Sequence, residues 1–488
     1  MEASRKAQKN FHLSLPHVKA FRDFMHYRCF SSSRRSFPAI MMLVLYASHS
    51  WASSLPKPEK KEYPPFNQAA VLQTSWGEPM NLSLQQAETY ALEHHPRIAA
   101  AAVRAAAALQ GISIAQADLL PQINGNAVVA KAENDVSRLG AAPAGLTSSG
   151  IRSRQSDGLY LSQLIFDFGR TPLLISTSRL EAKSGKERLD AARALVLLNV
   201  DRSYFAALGS EALVKVAQQQ VDTHQVLYEQ IKTLAASKLR SDLDLRLEEA
   251  NLAQARLMLV DTQGRKEEAM SDLAAAIGSE REPNFILTDT EEIPSLPISL
   301  GAVLADALAL RPDLISLRYD RDAAFKRAAA SKAARLPSIT GIAAGGISPY
   351  EAQNSGLAHD YGMFGVNVSL PIFTGGRLTA QQKQAELQAQ ALRDDVIDQE
   401  TSIIRSVRNA WIQVKTSFLS IGVADNFAAA ANSSFELAQS LYSVGSSSIV
   451  ELNQADLQRI QAEISAITAR YDYRTKRSAL AYESGKLK

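Results

Sequence analysis

Two rows of residues in strict seven-residue steps constrain this chain most: Val200, Ala207, Val214, Val221, Tyr228, Ala235, and Val407, Val414, Ile421, Ala428, Phe435, Tyr442. The second row follows the first at an offset of 207 residues throughout. Seven-residue apolar steps turn one stripe of a helix toward a partner, and a stripe kept over five steps demands a long helix wound against its neighbours. Each row runs into a short interruption, residues 236–241 and 444–448, after which helix-favouring sequence resumes. The rows predict a long helical hairpin, present twice.

A length of 488 residues would allow about three ordinary domains. The rows argue instead for one elongated body, and an aromatic content of 7% suits thin helical layers better than a thick core. Residues 1–52 hold eight Lys or Arg, two acids and the only cysteine, Cys29. Their apolar run, 38–47, follows Arg34-Arg35 and leads to Ser50-Trp51-Ala52, a small-x-small site. This is the layout of a secretory leader, with an apolar run too short to span a bilayer, and cleavage is expected after Ala52. Residues 33–37 also allow a twin-arginine export signal, although an ordinary basic region is the preferred reading, and Met25 is an alternative start. Taking these eight basic and two acidic residues from totals of 53 and 50 leaves 45 and 48, so the formal charge moves from +3 to −3. The basic balance therefore belongs to the leader and gives no reason to expect nucleic acid. Without the leader there is no cysteine, hence no disulfide, thiol chemistry or lipid-bearing cysteine.

Residues 53–79, rich in Pro, Lys and Glu, read as a flexible tether. A helical stretch opens at Leu84, breaks at His95-Pro96 and stops at Leu120-Pro121, because proline disfavours helix at the residue before it. Beyond Pro121 the period becomes two: Ile123, Gly125, Ala127 and Val129 alternate with polar residues, as in a strand with two unlike faces. A loop at 132–156 leads to a second strand, 158–166, closed by Phe166-Asp167-Phe168-Gly169-Arg170. A helix over about 172–237 and a returning one over 243–277 follow, with Gly278 as the stop. The first repeat thus spans 80–278, a Pro-bearing connector 279–297, and the second repeat 298–488. In the second, Arg311-Pro312 and Leu336-Pro337 answer the first at an offset of 216. Strands are expected at 338–346 and 361–373, and Phe373-Thr374-Gly375-Gly376-Arg377 answers 166–170 at 207.

Strands of about ten residues match the length of a tilted bilayer-spanning strand. Four of them cannot close a barrel with an interior, and open edges cannot face lipid, so several chains must share one barrel. The loops at 132–156 and 347–360 would face outward, with the long helices on the other side.

In this duplicated layout, with its Leu-Pro helix exits at Pro121 and Pro337, its Phe-x-x-Gly-Arg strand exits and the turn at 442–452, the chain resembles the TolC-like outer-membrane efflux and secretion channels. The likeness covers about residues 80–485. It implies a mainly α fold with a β-barrel part, in which three chains give four membrane strands each to a twelve-stranded β-barrel continued by an α-barrel across the periplasm. It also implies a periplasmic adaptor and an inner-membrane pump as partners. In that family the periplasmic end is closed by polar contacts beside the turns. Tyr442 and Asp244 match two partners of this lock and Glu451 an acidic lining position, while Ser447 stands where the pattern has Arg and Gln454 where it has the Asp of the narrowest ring. A closed state held mainly by helix coiling and by Tyr442 with Asp244, and weak block by polyvalent cations, are the resulting expectations.

Blander readings compete at several residues. Tyr228 is preferred as a seam residue, Tyr442 stands evenly between packing and gate, and Asp244 and Glu451 could be solvated charges. His94-His95 is a better polar helix end than a metal pair, since adjacent residues diverge by about 100°. Asp167-Phe168-Gly169 lacks the other kinase motifs, and there is no nucleophile elbow, zinc helix or P-loop. No catalytic, cofactor or metal site is expected. The competing class, a periplasmic coiled-coil adaptor, would explain one heptad row but not two rows with four amphipathic strands.

Overall fold

A computed structural model describes residues 80–131, 153–279, 285–289, 295–296, 299–347, 350–352, 355–357 and 360–487. The expected leader and tether, and most of the loop at 132–156, lie outside the described residues. The chain is mainly helical. Strand β1 (Met80–Leu82) precedes α1 (Leu84–His94) and α2 (Pro96–Ala117). Strands β2 (Gln122–Lys131) and β3 (Ser153–Phe166) lead to α3 (Arg170–Ala236) and α4 (Asp242–Ile277). After β4 (Phe285–Leu287) come α5 (Leu300–Leu310), α6 (Pro312–Ala333), β5 (Ser338–Ile347), β6 (Tyr350–Ala352), β7 (Ser355–Leu357), β8 (Asp360–Ser369), α7 (Arg377–Ser443) and α8 (Ile449–Glu483). Both α3 and α7 have 67 residues, about 100 Å of helix.

The breaks follow local chemistry. His95 is the N-cap of α2, its Nδ1 accepting from Arg97 N at 3.0 Å with Pro96 at the first helical position, where a missing N–H costs nothing. Ser83 and Ser448 build capping boxes with Gln86 and Glu451. Helix α2 ends four residues before Pro121 and α6 four before Pro337, and each proline directly precedes a strand, β2 or β5. At the strand exits the backbone reverses through two left-handed residues, Phe168 (φ 54°) with Gly169 (86°), and Gly375 (60°) with Gly376 (81°). The oxygen preceding each pair caps the new helix: Asp167 Oδ2 accepts from Thr171 N at 2.7 Å, and Thr374 Oγ1 from Leu378 N at 3.5 Å. Arg170 and Arg377 open α3 and α7, their N–H groups reaching the carbonyls of Asp167 and Thr374. Phe166 ends β3 and packs edge-on against Phe168, with centroids 4.8 Å apart.

Two strand boundaries differ from expectation. Strand β3 starts at Ser153 instead of 158, taking in what was read as loop, and β8 stops at Ser369 instead of 373. Pro371 explains the second, since it has no N–H to continue the ladder. Phe373 is therefore in the turn, 89% exposed, and not the strand-end residue that Phe166 is. The short β6–β7 hairpin was also not anticipated, nor was the parallel β1–β4 pair, which joins the start of the first repeat to the connector.

The four long strands form one antiparallel sheet in the order β2-β3-β5-β8. Its outer strands, β2 and β8, have no further long strand beside them among the described residues. Ile123, Leu159, Ile165, Phe364, Val366 and Val368 are all exposed.

The core is duplicated like the sequence. Val196, Val200, Tyr204, Ala207 and Leu273 pack with Ala87, Ala91 and Leu82 in the first repeat. Ile403, Val407, Val414 and Leu480 pack with Val303 and Ala307 in the second. Tyr204 locks the β1–β4 pair, its hydroxyl 2.9 Å from Leu82 O and 2.7 Å from Thr288 O. The second heptad row is buried except for half-buried Ala428. In the first row Val200 and Ala207 are buried, but Val214, Val221, Tyr228 and Ala235 are only half-buried. Beyond Ala207 the buried face of α3 runs through Ala217, Gln220, His224, Leu227 and Ile231 instead, in steps of three and four.

Candidate functional site at the hairpin tips

Both hairpins reverse through the same turn. Helix α3 ends with Leu239 N donating to Leu234 O and Lys238 N to Ala235 O, each at 2.9 Å. Helix α7 ends with Ser446 N donating to Leu441 O at 2.9 Å and Gly445 N to Tyr442 O at 3.0 Å. These are Schellman closures, which need one left-handed residue: Lys238 (φ 61°) in the first and Gly445 (φ 79°) in the second. The new helices start at Ser241, whose Oγ accepts from Leu243 N at 3.1 Å, and at Ser448.

The tips of all four helices meet in one apolar cluster of Leu227 and Ile231, Phe435 and Tyr442, and Ile449, Leu452 and Ala455, with Leu245 and Leu247 against it. Within the single chain Tyr442 and Asp244, the two residues expected to share the lock, are not hydrogen-bonded to each other. Tyr442 is turned into the cluster and its hydroxyl is buried without a hydrogen-bond partner. Its ring instead carries the Arg240 guanidinium, 4.2 Å from the centroid, and Arg240 Nη2 donates to the Tyr442 carbonyl. Asp244 is half-buried and near enough for its charge to act on Tyr442. Burial pushes the Tyr442 hydroxyl up, Arg240 opposes the change and Asp244 adds to it.

Glu451 is committed to capping. Its Oε2 accepts from Ser448 N at 3.0 Å and from Ser447 Oγ, and the Ser447 bond, followed by the Ser448 N–H, holds its carboxyl below the usual range. Ser447 thus serves its own turn, where the family pattern has a charged donor. Gln454 is exposed one turn further on.

Above the tip lies a buried polar network that the apolar rows concealed. His224 on α3 stands between two carboxylates: Nδ1 donates to Glu248 Oε1 on α4 at 2.7 Å, and Nε2 lies 3.1 Å from Asp456 Oδ2 on α8. Gln220 Nε2, 2.7 Å from His224 Nε2, donates to the same Asp456 oxygen, while Gln220 Oε1 accepts from Arg459 Nη2 at 2.6 Å. Arg459 also holds Asp456 Oδ1, with Nη2 at 2.7 Å and Nε at 3.1 Å, and lies over the Phe435 ring at 4.5 Å. Asn251 donates to the other Glu248 oxygen at 3.1 Å. Burial pulls the His224 imidazole down, but the hydrogen bonds and charges of Asp456 and Glu248 outweigh it and bring the group to about 9. Burial likewise pushes Asp456 up, and His224 with Arg459 overcomes this and holds it below the ordinary carboxylate range. The four charges cancel. A polar His and Gln at steps of three and four inside an apolar stripe was the signal available in sequence, and a count of apolar residues alone passes over it.

Elsewhere His94 stacks on Tyr90 at 4.3 Å and His95 caps a helix. Among the described residues no group of three or more His, Cys, Asp or Glu is placed to hold a metal.

The family model described as outer membrane efflux protein matches residues 89–279 and 303–485, one segment for each repeat. The outer membrane protein TolC of Vibrio cholerae is 24% identical over 85% of this chain and 93% of its own length. The outer membrane efflux protein BepC of Brucella suis is 23% identical over 78% of this chain and 80% of its own. Among solved structures, the Campylobacter jejuni CmeC outer membrane channel superposes with a TM-score of 0.71 at 19% identity, over 83% of this chain and 85% of that one. Matched across both repeats, this chain belongs to the outer membrane efflux protein family, a family of channels of the bacterial outer membrane.

Proposed function

We propose that three copies of this chain form one conduit, with a twelve-stranded barrel in the outer membrane and a helical tunnel in the periplasm. An inner-membrane pump would load it through a periplasmic adaptor with small molecules, proteins or both. The observation that carries this reading is the open sheet: four antiparallel strands with apolar residues facing outward and two long edges unpaired among the described residues. Such edges are untenable in lipid unless strands of other copies complete them.

A second observation concerns α2. It is long and apolar enough to cross a membrane by composition, with only 6% of its most apolar window buried. It lies, however, along α3, and its repeat counterpart α6 packs between α3 and α7. Among the described residues helix α2 has α3 on one side and no such second long neighbour. Ile114 is 71% exposed, whereas Ala330, its equivalent at offset 216, is 2% exposed. The repeat therefore supplies the missing neighbour as α7 of another copy, which exposes Leu387 and Ile397 along its length. At the tips Leu239, Leu243, Val444 and Val450 are exposed on both hairpins, a surface suited to a helical adaptor.

Fractionation tests the reading. Outer-membrane partition, a heat-sensitive trimer on gels and stepwise current in planar bilayers are expected. Recovery as a soluble periplasmic monomer would favour the adaptor class and overturn it.

A further inference from the structure

The buried network at His224 has no counterpart at the other seam of the repeat. The offset of 207 carries Gln220 and His224 to Phe427 and Ala431 on α7, and takes Asp456 and Arg459 back to Glu249 and Leu252 on α4. Glu249 is exposed and pairs with Arg246 on its own helix at 2.7 Å. The polar fastening is therefore confined to the seam where α8 meets the α3–α4 hairpin of the same chain.

Its position suits a moving part. His224 lies twelve residues before the end of α3 and Asp456 seven after the start of α8, so the network sits roughly 10–18 Å above the turns along the helix axes. Gln220 is 2%, His224 5%, Glu248 0% and Asp456 3% exposed, which shields their mutual attraction from solvent. The groups facing His224 are Gln220 on its own helix, Glu248 with Asn251 on α4, and Asp456 with Arg459 on α8. Glu463 backs Arg459 at 3.3 Å, and α7 contributes the Phe435 ring under Arg459 and Tyr442 within reach of the Glu248 charge.

Drawing α8 away from α3 would break the bonds of Asp456 to His224 and Gln220 and that of Arg459 to Gln220. It would also leave the His224–Glu248 pair without its second carboxylate. Breaking one partner from a buried charge pair is far more costly than never having built the pair. An apolar seam slides by degrees. This one holds until several bonds break together.

We propose that Gln220, His224, Glu248, Asp456 and Arg459 are a latch that fastens α8, and with it the tip of the α7–α8 hairpin, to the α3–α4 hairpin, and that the tip loosens only when this latch breaks. What it releases rests on the channel reading above; the fastening itself does not. The latch occupies a different level from Tyr442, Ser447 and Gln454, and holds the tip without the charged donor that Ser447 replaces.

The test compares Asp456→Asn and Glu248→Gln, which keep shape and remove charge, with Asp425→Asn, which breaks an exposed pair between α7 and Arg470 on α8, outside the α3–α4–α8 network. In planar bilayers at neutral pH the two latch variants are expected to raise open-state current roughly ten-fold or more, the worth of one charge-assisted hydrogen bond, with the control unchanged. Hydrogen exchange on the intact protein is expected to speed up over residues 452–463 in the latch variants and to stay constant in α6. Latch variants that assemble and show wild-type current and wild-type exchange overturn the proposal. So does failure of both to assemble while the control does, which would make the network part of the folding core. A wild type that never conducts sinks the channel reading, and exchange alone then decides the latch.

Discussion

Buried His224 and half-buried Glu88 are two acid–base groups whose protonation ties stability to pH. His224 is raised from 6.5 to about 9, so the folded chain holds a proton there that the unfolded chain gives up. Its contribution is complete below pH 6.5 and lost as pH rises through about 9, at a slope of at most about 1.4 kcal/mol per pH unit. Glu88 on α1 faces buried Asp201 on α3. Burial first, then the hydrogen bond and charge of Asp201, push it from 4.5 to about 7. The sign is the same but the window is lower: the contribution is complete below pH 4.5 and lost by about 7. Thermal unfolding followed by circular dichroism separates the two. Glu88→Gln, which stays neutral, is expected to flatten the decline between pH 5 and 7 and leave the alkaline one. His224→Gln is expected to lower the melting temperature near neutrality and flatten the alkaline decline. Wild-type slopes retained in both variants would place the protons elsewhere.

At the scale of elements, the repeat allows each turn to be judged against its twin. Lys238 and Gly445 occupy the same left-handed position in the same closure, yet only glycine reaches it without a Cβ clash. Lys238→Gly is therefore expected to stabilise the first hairpin by up to about 1 kcal/mol, and Gly445→Ala to destabilise the second by about 1 kcal/mol or more. Urea unfolding midpoints of the two variants, moving in opposite directions, would show this; a fall in both would mean that Lys238 makes a compensating contact.

Elements were also what the sequence displayed best. Prolines at 96, 121, 312 and 337 cut helices where they were expected to, because the missing N–H and the restraint on the preceding residue act locally. The heptad row of α7 was legible because its seam is apolar almost to the tip. The row of α3 was legible only as far as Ala207, since beyond it the buried face shifts onto a stripe that carries the polar Gln220 and His224, and the chemistry that satisfies a buried His lies 24 and 232 residues away along the chain. Tyr442 was recognisable as a tip residue, but the bond assigned to it depended on where one hydroxyl points, which packing against Leu227 and Ile449 decides.

At the scale of the whole molecule, the two repeats are alike in sequence layout and unlike in surroundings, and the difference measures what one chain lacks. Helix α6 is flanked by α3 and α7, while α2 has only α3 as a long neighbour among the described residues. Strand β5 is paired on both sides, while among the described residues β2 and β8 are each paired on one. On the trimer proposed above, the second repeat of one copy would offer α7 to α2 and β8 to β2 of the next, and rotation of one chain onto the next would satisfy helix and strand edges together. Ile114 tests this directly, because it is exposed here and its equivalent Ala330 is buried. Ile114→Glu would place an unpaired carboxylate in each closed seam, at a cost of several kcal/mol, while leaving the isolated chain free to solvate it. The variant is expected to run as monomer on unheated gels, with helix content per chain as in the wild type. If it remains a heat-sensitive trimer, the outer side of α2 faces solvent, and the match between the two repeats does not describe how copies meet.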